Sequence, residues 1–236
     1  LALGIWRGGK LAPGFWLVSL GAILALAGVA VSFSRGAWLA SAIAAAVLLV
    51  GWMAGRAGGL GRRWVWLLLG GVAIGGVAVL ALMVRGGPMG GSTDARVLLW
   101  IEALAYLSRH PLGIGLDQFY YYHNPEFGRS LIDPSLLGTS EQFAAHPHNL
   151  LLEIWLSLGP LGLAAFAWLI ARCYRQADFA LRGMRHPALL GALAALSAAL
   201  VHGLIDRFYF VPDLAFAFWL LYLVVEARQM NDTIAT

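Results

Sequence analysis

The chain has 236 residues, of which 60% are hydrophobic and 12% are charged, and its mean hydropathy is +0.75. Since an average soluble domain carries about 25% charged residues, this composition excludes an ordinary water-soluble fold and fits helices whose exteriors face lipid. The net charge of +4 comes from arginines scattered over short segments, which excludes the basic patch of a nucleic-acid-binding protein. The single cysteine, Cys173, excludes an internal disulfide.

Apolar segments predict about six transmembrane helices, each near the roughly 20 residues that cross a bilayer. Three precede a long polar loop and three follow it. The predicted spans are residues 11–33, 36–54, 64–84, 150–171, 187–205 and 212–228. The fold class is therefore an all-α polytopic membrane protein with transmembrane helices in residues 1–84, an extracytoplasmic loop over 85–149, and helices with a cytoplasmic tail in 150–236. Because the chain starts at Leu1 without a signal peptide, it is expected to be a fragment of a larger helical bundle.

The placement of basic residues predicts the orientation. With residues 85–149 outside, the short inner connections contain most of the arginines, whereas only Arg35 and Arg207 lie in short outer connections. The long loop is therefore expected to face away from the cytoplasm. Gly159-Pro160 is expected to kink the fourth span, because proline removes a helix hydrogen bond.

The outer loop is expected to contain a helix over residues 94–109, lying at the membrane surface or against the bundle. Its apolar stripe is predicted to comprise Val97, Trp100, Ile101, Leu104 and Leu107. His110-Pro111 ends the helix, and a glycine-rich turn, an aromatic segment and a polar stretch follow.

Two arginines on the outer side are candidate anion ligands. Arg35 lies where the first two spans meet, and Arg96 begins the surface helix one turn before Trp100. Each has a plain alternative: a boundary arginine whose charge reaches the interface, or a cation–π pair of Arg96 with Trp100. As ligands, both guanidinium groups could hold a phosphate through paired hydrogen bonds.

The segment His146-Pro147-His148-Asn149 stands where the loop meets the fourth span. A histidine titrates near neutral pH, so His148 is a candidate general base. Asn149 can cap the following helix. The His-x-His pair also permits a metal site with His123 or Glu141 as partner, although no metal is expected because no further ligand spacing supports one. A plain interfacial histidine is the other alternative.

His202, Asp206 and Arg207 end the fifth span on the outer side. They predict either an ion-paired helix end, in which His202 pairs with Asp206, or a wall of the same polar site. Glu153, one turn inside the fourth span, could orient His148 or an arginine. Taken together, arginines and a histidine on one side of the membrane suit binding a diphosphate and removing a proton from a hydroxyl.

The sequence resembles the O-antigen ligase and O-antigen polymerase superfamily of bacterial membrane glycosyltransferases over residues 15–228. The motifs occur in the family's order around its large outer loop. They are residues 34–40 (SRGAWLA), Arg96 with Trp100, residues 111–115 (PLGIG) with Phe119, residues 146–150 (HPHNL) and residues 159–162 (GPLG).

The resemblance implies an enzyme of the bacterial inner membrane with its active site on the periplasmic face. Such enzymes transfer a glycan from an undecaprenyl diphosphate carrier to a hydroxyl of a glycan, lipid or protein acceptor, without a metal, nucleotide sugar or other cofactor. Arg35 and Arg96 match the family's diphosphate-binding arginines, and His148 matches its essential loop histidine. The further residues expected to bind substrate are Trp100, His146, Asn149 and Arg207.

Three other functions remain open from the sequence. A polymerase of the same superfamily would use a second carrier-linked glycan as acceptor. A transporter or flippase would also bind the diphosphate through arginine but would not need a base in the loop. A non-catalytic scaffold would need neither Arg35 nor His148 for more than stability.

Overall fold

The computed structural model describes residues 6–7, 10–11, 15–56, 92–181, 187–206 and 212–234. The predicted third span, residues 64–84, and Arg207 lie outside these ranges. The helices are α1 (Phe15–Val31), α2 (Arg35–Arg56), α3 (Ser92–Arg109), α4 (Phe119–His123), α5 (Leu150–Leu181), α6 (Pro187–Gly203) and α7 (Pro212–Ile234). Short 3-10 turns occupy Pro125–Phe127, Pro134–Leu136 and Ser140–Phe143. The all-helical class is confirmed. The described residues also contain one short antiparallel pair of strands, in which Trp6–Arg7 pairs with Lys10–Leu11.

The helix boundaries test the predicted spans. The helices α5, α6 and α7 begin where the fourth, fifth and sixth spans were predicted to begin, because Asn149, Pro187 and Pro212 are strong local start signals. The first span was predicted to start four residues early. Leu11 pairs with Trp6 in the short ladder, and the helix starts at Phe15, just beyond the helix-breaking pair Pro13-Gly14.

The chain divides into two compact units. We call Leu1–Val72, Ala171–His202 and Phe216–Thr236 the helix unit, and Ala73–Ile170 with Gly203–Ala215 the loop unit. In the helix unit, Trp38 Nε1 donates to the carbonyl of Val29 over 2.8 Å, and the backbone N–H of Ala37 donates to Ser34 Oγ over 3.2 Å. These bonds fix the turn between α1 and α2, because the serine hydroxyl caps the start of α2.

Apolar side chains cover the outside of the helices. In α1, Trp16, Leu17 and Val31 are 74%, 76% and 69% exposed. Within the described residues, one helical segment, Leu150–Arg175, is long and apolar enough to cross a membrane, and 22% of its most apolar stretch is buried. The core helix of a soluble protein would be mostly buried, so this surface fits lipid better than water. The shorter apolar helices are Trp16–Val31, Gly36–Gly51, Leu189–Gly203 and Pro212–Val224, and the number of spans stays a prediction.

The loop between α3 and α5 folds around a small core of its own. Its buried members, drawn from α3, the segment after it and α5, are Leu99, Ala103, Tyr106, Leu107, Phe119, Leu136, Ala144 and Leu156. The predicted stripe of α3 is therefore partly wrong. Trp100 and Leu107 are buried, but Ile101 and Leu104 are 58% and 55% exposed. The loop folds back over the face of α3 that carries Leu99 and Tyr106, and this tertiary packing decides which apolar residues are covered.

The predicted kink of α5 is confirmed at Gly159, whose φ of 72° and ψ of −173° are not helical. Pro160 has no N–H, so the carbonyl four residues earlier, that of Leu156, has no partner within the helix. The backbone N–H groups of Ile114 and Gly115 donate to this carbonyl over 2.7 and 3.1 Å. The glycine-rich turn after α3 thus supplies the hydrogen bonds that the proline removes.

Glycine is required on both sides of this junction. Gly113 has a φ of +93°, and a Cβ there would lie 2.7 Å from the Leu156 carbonyl oxygen. At Gly159 a Cβ would lie 2.5 Å from the Leu112 carbonyl oxygen. Both approaches are to backbone atoms that cannot rotate away, so the turn and the kinked helix fit together only without side chains at these positions.

Candidate active site

His148 lies at the junction between the loop and α5, and its backbone conformation is unusual. Its φ of +50° is in the left-handed region, which a residue with a side chain seldom adopts without support from its surroundings. The next residue supplies part of that support. Asn149 Oδ1 accepts from the N–H groups of Leu151 and Leu152 over 3.0 and 3.1 Å, and its Nδ2 donates to the Leu204 carbonyl over 2.9 Å. Asn149 therefore caps α5 and joins it to the segment after α6.

Trp100 joins the surface helix to the same point. Its indole Nε1 donates to the backbone carbonyl of His148 over 3.3 Å, and the side chain is 7% exposed. Arg96 lies one turn earlier on α3 and is half-buried. Within the part of the chain that the structure describes, Arg96 forms no salt bridge. Its charge is thus available to an anion that approaches this end of α3.

The imidazole of His148 lies between two carboxylates. Its Nδ1 is 3.4 Å from Asp206 Oδ1, and its Nε2 is 3.5 Å from Glu141 Oε2. The side chain is 18% exposed, against 24% for Glu141 and 38% for Asp206. A second imidazole ring lies beside it, because the centroids of His146 and His148 are 4.3 Å apart. We call His146, His148, Glu141 and Asp206 the histidine site.

This arrangement suits a group that takes up a proton. When the ring of His148 gains a proton, both of its nitrogens become donors, and a carboxylate oxygen faces each of them. The two acids therefore compensate the positive charge that the ring acquires, as the buried aspartate does for the histidine of a serine-protease triad. The ring is 18% exposed, so it is not fully enclosed by the loop.

Glu141 is held in place by a buried chain of hydrogen bonds. His123 Nε2 bonds to the backbone carbonyl of Glu141 over 2.8 Å, and His123 Nδ1 lies 2.8 Å from Glu102 Oε2. His123 is fully buried, and Glu102 is 3% exposed. Burial by itself lowers the pKa of His123, but the hydrogen bond to Glu102, its negative charge and the bond to Glu141 raise the pKa above its usual value.

Tyr106 extends this series of hydrogen bonds beyond Glu102. Its hydroxyl lies 2.8 Å from Glu102 Oε1 and 2.6 Å from the Tyr122 carbonyl, and it accepts from the N–H of Leu131 over 2.9 Å. Burial, followed by the bond to Glu102, raises the pKa of Tyr106 well above its usual range. The tyrosine therefore stays neutral. Its single proton can go to Glu102 or to the Tyr122 carbonyl, while its oxygen accepts from Leu131.

The structure brings together three of the predicted site residues, since Trp100 and His146 both contact His148. Asn149 follows His148 directly, and Arg96 belongs to the same loop unit. Arg35 is the first residue of α2 in the helix unit, and its side chain is outside the described part of the structure, as is the whole of Arg207.

Two members of the histidine site were not predicted in their observed roles. Asp206 was expected either to pair with His202 at the end of a helix or to form a wall of the same polar site, without His148 as its partner, and Glu141 was considered only as a metal partner. The contact of Asp206 with His148 joins residues 58 positions apart, and no local sequence pattern predicts such a contact. Glu153, expected to orient His148 or an arginine, is buried in α5 with Ser157 Oγ 3.5 Å from its Oε1.

The side chains that could hold a metal ion differ from those expected. His123 was considered as a partner of the His-x-His pair, but both of its ring nitrogens are bonded within the buried chain. The third member is Asp206, since one possible ligand atom each from His146, His148 and Asp206 lie within 4.8 Å of one another. Two histidines and a carboxylate are a donor set that transition metals accept.

The fold and the site define an all-helical membrane protein whose structured loop presents a histidine between two carboxylates. A family model described as O-antigen ligase matches residues 20–167, which is more than half of the chain. The chain belongs to the O-antigen ligase family, and it is thus a bacterial membrane protein of the glycan-processing class. The matched region contains Arg35, Arg96 and His148 but ends before Asp206. No curated protein and no solved structure matches the chain.

Proposed function

We propose that the chain transfers a glycan from a polyprenyl diphosphate carrier, of the undecaprenyl type, to an acceptor hydroxyl on the periplasmic face of the inner membrane. The observation that carries this proposal is the position of His148, half-buried between Asp206 and Glu141 at 3.4 and 3.5 Å. Such a ring can accept a proton from a hydroxyl and hold the resulting charge. A transporter or scaffold has no need of that arrangement.

Arg96 and Arg35 would bind the diphosphate. Arg96 is half-buried on α3, has no salt bridge within the described residues, and lies one turn from the tryptophan that holds the His148 carbonyl. A guanidinium group stabilises the negative charge that develops on the diphosphate as the glycosidic bond breaks. For Arg35 the support is its position at the start of α2, within the region that the family model matches.

The chemical step follows from these roles. The acceptor hydroxyl gives its proton to His148 while its oxygen forms a bond to the anomeric carbon. The bond from that carbon to the diphosphate oxygen breaks, and the electron pair leaves with the carrier diphosphate, held by the arginines. Attack from the face opposite the diphosphate inverts the anomeric carbon. Asp206 and Glu141 compensate the imidazolium that results.

The decisive experiment reconstitutes the purified protein with a lipid-linked glycan and an acceptor and measures covalent transfer. Replacing a general base typically costs about 10²–10⁴-fold in rate, so His148→Gln should reduce the turnover number by that factor. His110→Gln is the matched control, because His110 is exposed at the end of α3. Undiminished transfer by the His148→Gln variant would exclude the proposed base.

The same assay separates the rival functions. Movement of the lipid-linked glycan across the bilayer without covalent transfer would identify a transporter. A product that grows on a second carrier-linked glycan would identify a polymerase, whereas a product on a lipid, protein or other glycan would identify a ligase. An Arg35→Ala/Arg96→Ala double variant should weaken binding of the lipid diphosphate by at least about tenfold, because each charged hydrogen bond is worth about 1.5–3 kcal/mol.

A further inference from the structure

We propose that His146, His148 and Asp206 bind a divalent transition metal of the Zn²⁺ class, and that this metal inhibits the enzyme by occupying His148. One possible ligand atom from each residue lies within 4.8 Å of the others. The two histidines come from one segment, and the aspartate follows α6, so the site closes only when the loop unit is folded.

The spacing of the donor atoms fits tetrahedral coordination. Ligand atoms that bond zinc at about 2.0–2.1 Å in a tetrahedron are about 3.3 Å apart. His148 Nδ1 and Asp206 Oδ1 are separated by 3.4 Å, so one edge of the tetrahedron is already formed. The remaining separations reach up to 4.8 Å. They can shorten through side-chain rotation, because Asp206 is 38% exposed.

A carboxylate also lies behind the metal-facing histidine. With Nδ1 of His148 turned to the ion, its Nε2 carries the proton and faces Glu141 Oε2 at 3.5 Å. Metal-binding histidines nearly always donate their second N–H to a carboxylate, carbonyl or water, which fixes the ring and strengthens the ligand. Glu141 is well placed for this role because its backbone carbonyl is held by the buried His123.

The donor set selects the class of ion. Two imidazoles and one carboxylate suit Zn²⁺ and similar transition metals, whereas Mg²⁺ and Ca²⁺ prefer oxygen ligands alone. Three protein ligands leave a fourth position open to water or to a substrate oxygen. A metal on His148 competes with the proton that this residue must accept, so the inhibition rests on the proposed function, whereas the binding site does not.

Binding is tested with the purified full chain in detergent, freed of metal by chelation. Co²⁺ is the probe, because tetrahedral coordination by nitrogen and oxygen gives it visible absorption that distinguishes it from the octahedral ion in water. We expect these bands to saturate at about one equivalent and to disappear when Zn²⁺ is added. The Glu141→Gln variant should keep the bands but bind about 10–100-fold more weakly.

Two substitutions test the ligands separately. Both His146→Ala and the nearly isosteric Asp206→Asn should abolish the tetrahedral bands, and His110→Ala should leave them unchanged because His110 lies outside the histidine site. Using two ligand variants keeps the test meaningful if one of them fails to fold. Absence of tetrahedral bands in the unaltered chain, or bands unaffected by both ligand substitutions, would overturn the site.

The inhibitory part needs the transfer assay. Zn²⁺ should lower glycan transfer over the same concentration range in which it displaces Co²⁺, and a chelator should restore the rate. Zinc binding that leaves transfer unchanged would overturn the inhibition but leave the site intact. A chain that binds Co²⁺ as expected but transfers no glycan at any metal concentration would contradict the proposed function alone.

Discussion

Trp100 Nε1 donates a hydrogen bond of 3.3 Å to the backbone carbonyl of His148. This bond fixes the left-handed backbone of His148, whose φ is +50°, to the surface helix that also carries Arg96. The histidine that we propose as the base is therefore joined to the helix that carries Arg96, the arginine that we assign to the diphosphate. A single substitution can loosen their relative position without removing either group.

Trp100→Phe should separate positioning from binding. Phenylalanine keeps an apolar ring in the buried site but cannot donate to the His148 carbonyl, so we expect the turnover number to fall by about tenfold while thermal stability changes by about 1 kcal/mol. Steady-state kinetics with a lipid-linked donor measure the turnover number and the KM, and thermal unfolding measures the stability. A higher KM at an unchanged turnover number would instead assign Trp100 to donor binding.

Asp206→Asn should lower the rate of transfer and leave donor binding intact. The equivalent carboxylate of a serine-protease triad contributes about 10⁴-fold, but Asp206 is 38% exposed and lies 3.4 Å from His148. Solvent screening reduces its effect, so the expected loss is about tenfold. The readout is the turnover number, with Asp213→Asn on α7 as a control at a carboxylate outside the histidine site. Equal losses in the two variants would contradict a positioning role.

Gly159→Ala and Gly113→Ala should each detach the turn after α3 from α5. The added Cβ would lie 2.5 Å from the Leu112 carbonyl oxygen in the first variant and 2.7 Å from the Leu156 carbonyl oxygen in the second. Both positions also require positive φ, so we expect a loss of at least about 1–3 kcal/mol. Hydrogen exchange at Ile114 measures it directly. Gly191→Ala on α6, where a Cβ meets nothing within 4 Å, should leave this amide unchanged.

The stability of the loop unit should depend on pH through His123. The pKa of this buried histidine is raised by Glu102, so its contribution is complete below the unfolded pKa of about 6.5. The contribution is lost as the pH rises through the folded pKa. Hydrogen exchange of the loop amides should show protection that falls as the pH rises through this window, after correction for the intrinsic exchange rate.

The matched variant for this dependence is Glu102→Gln, which removes the charge that raises the pKa of His123. Its overall stability should drop, because a buried pair is broken, but the slope of stability against pH should flatten. His110→Gln, which changes an exposed histidine on α3's C-terminal side, should keep the original slope. A slope that is the same in all three proteins would exclude His123 as its source.

Local signals in the sequence predicted much of the fold. Asn149 predicted the start of α5, Pro212 that of α7, and Gly159-Pro160 the kink, since caps and proline act through their immediate neighbours. The buried face of α3 was assigned partly wrongly, because Ile101 and Leu104 are as apolar as their covered neighbours. Only the return of the loop over Tyr106 decides which of them are buried.

The candidate site, like the fold, was predicted only in part from the sequence. The sequence singled out His148 and Arg96 by residue type and by their place in the family's motifs. Asp206 could be placed on the predicted outer side but not against His148, because the contact crosses 58 positions of the chain and depends on the packing of the segment after α6 against the start of α5. Such a pairing follows from tertiary packing rather than from any local propensity.

The hydrogen bonds from Ile114 and Gly115 to the Leu156 carbonyl have a consequence for how the loop can change in evolution. The two anchors are backbone groups, and the intervening polar segment from residue 116 to residue 145 returns to the same helix. Insertions at exposed positions of that segment carry a small entropic cost. The segment can therefore change in length between family members while the glycine turn and the kinked helix keep His148 in place, provided that Glu141 and the buried His123 that holds it are kept.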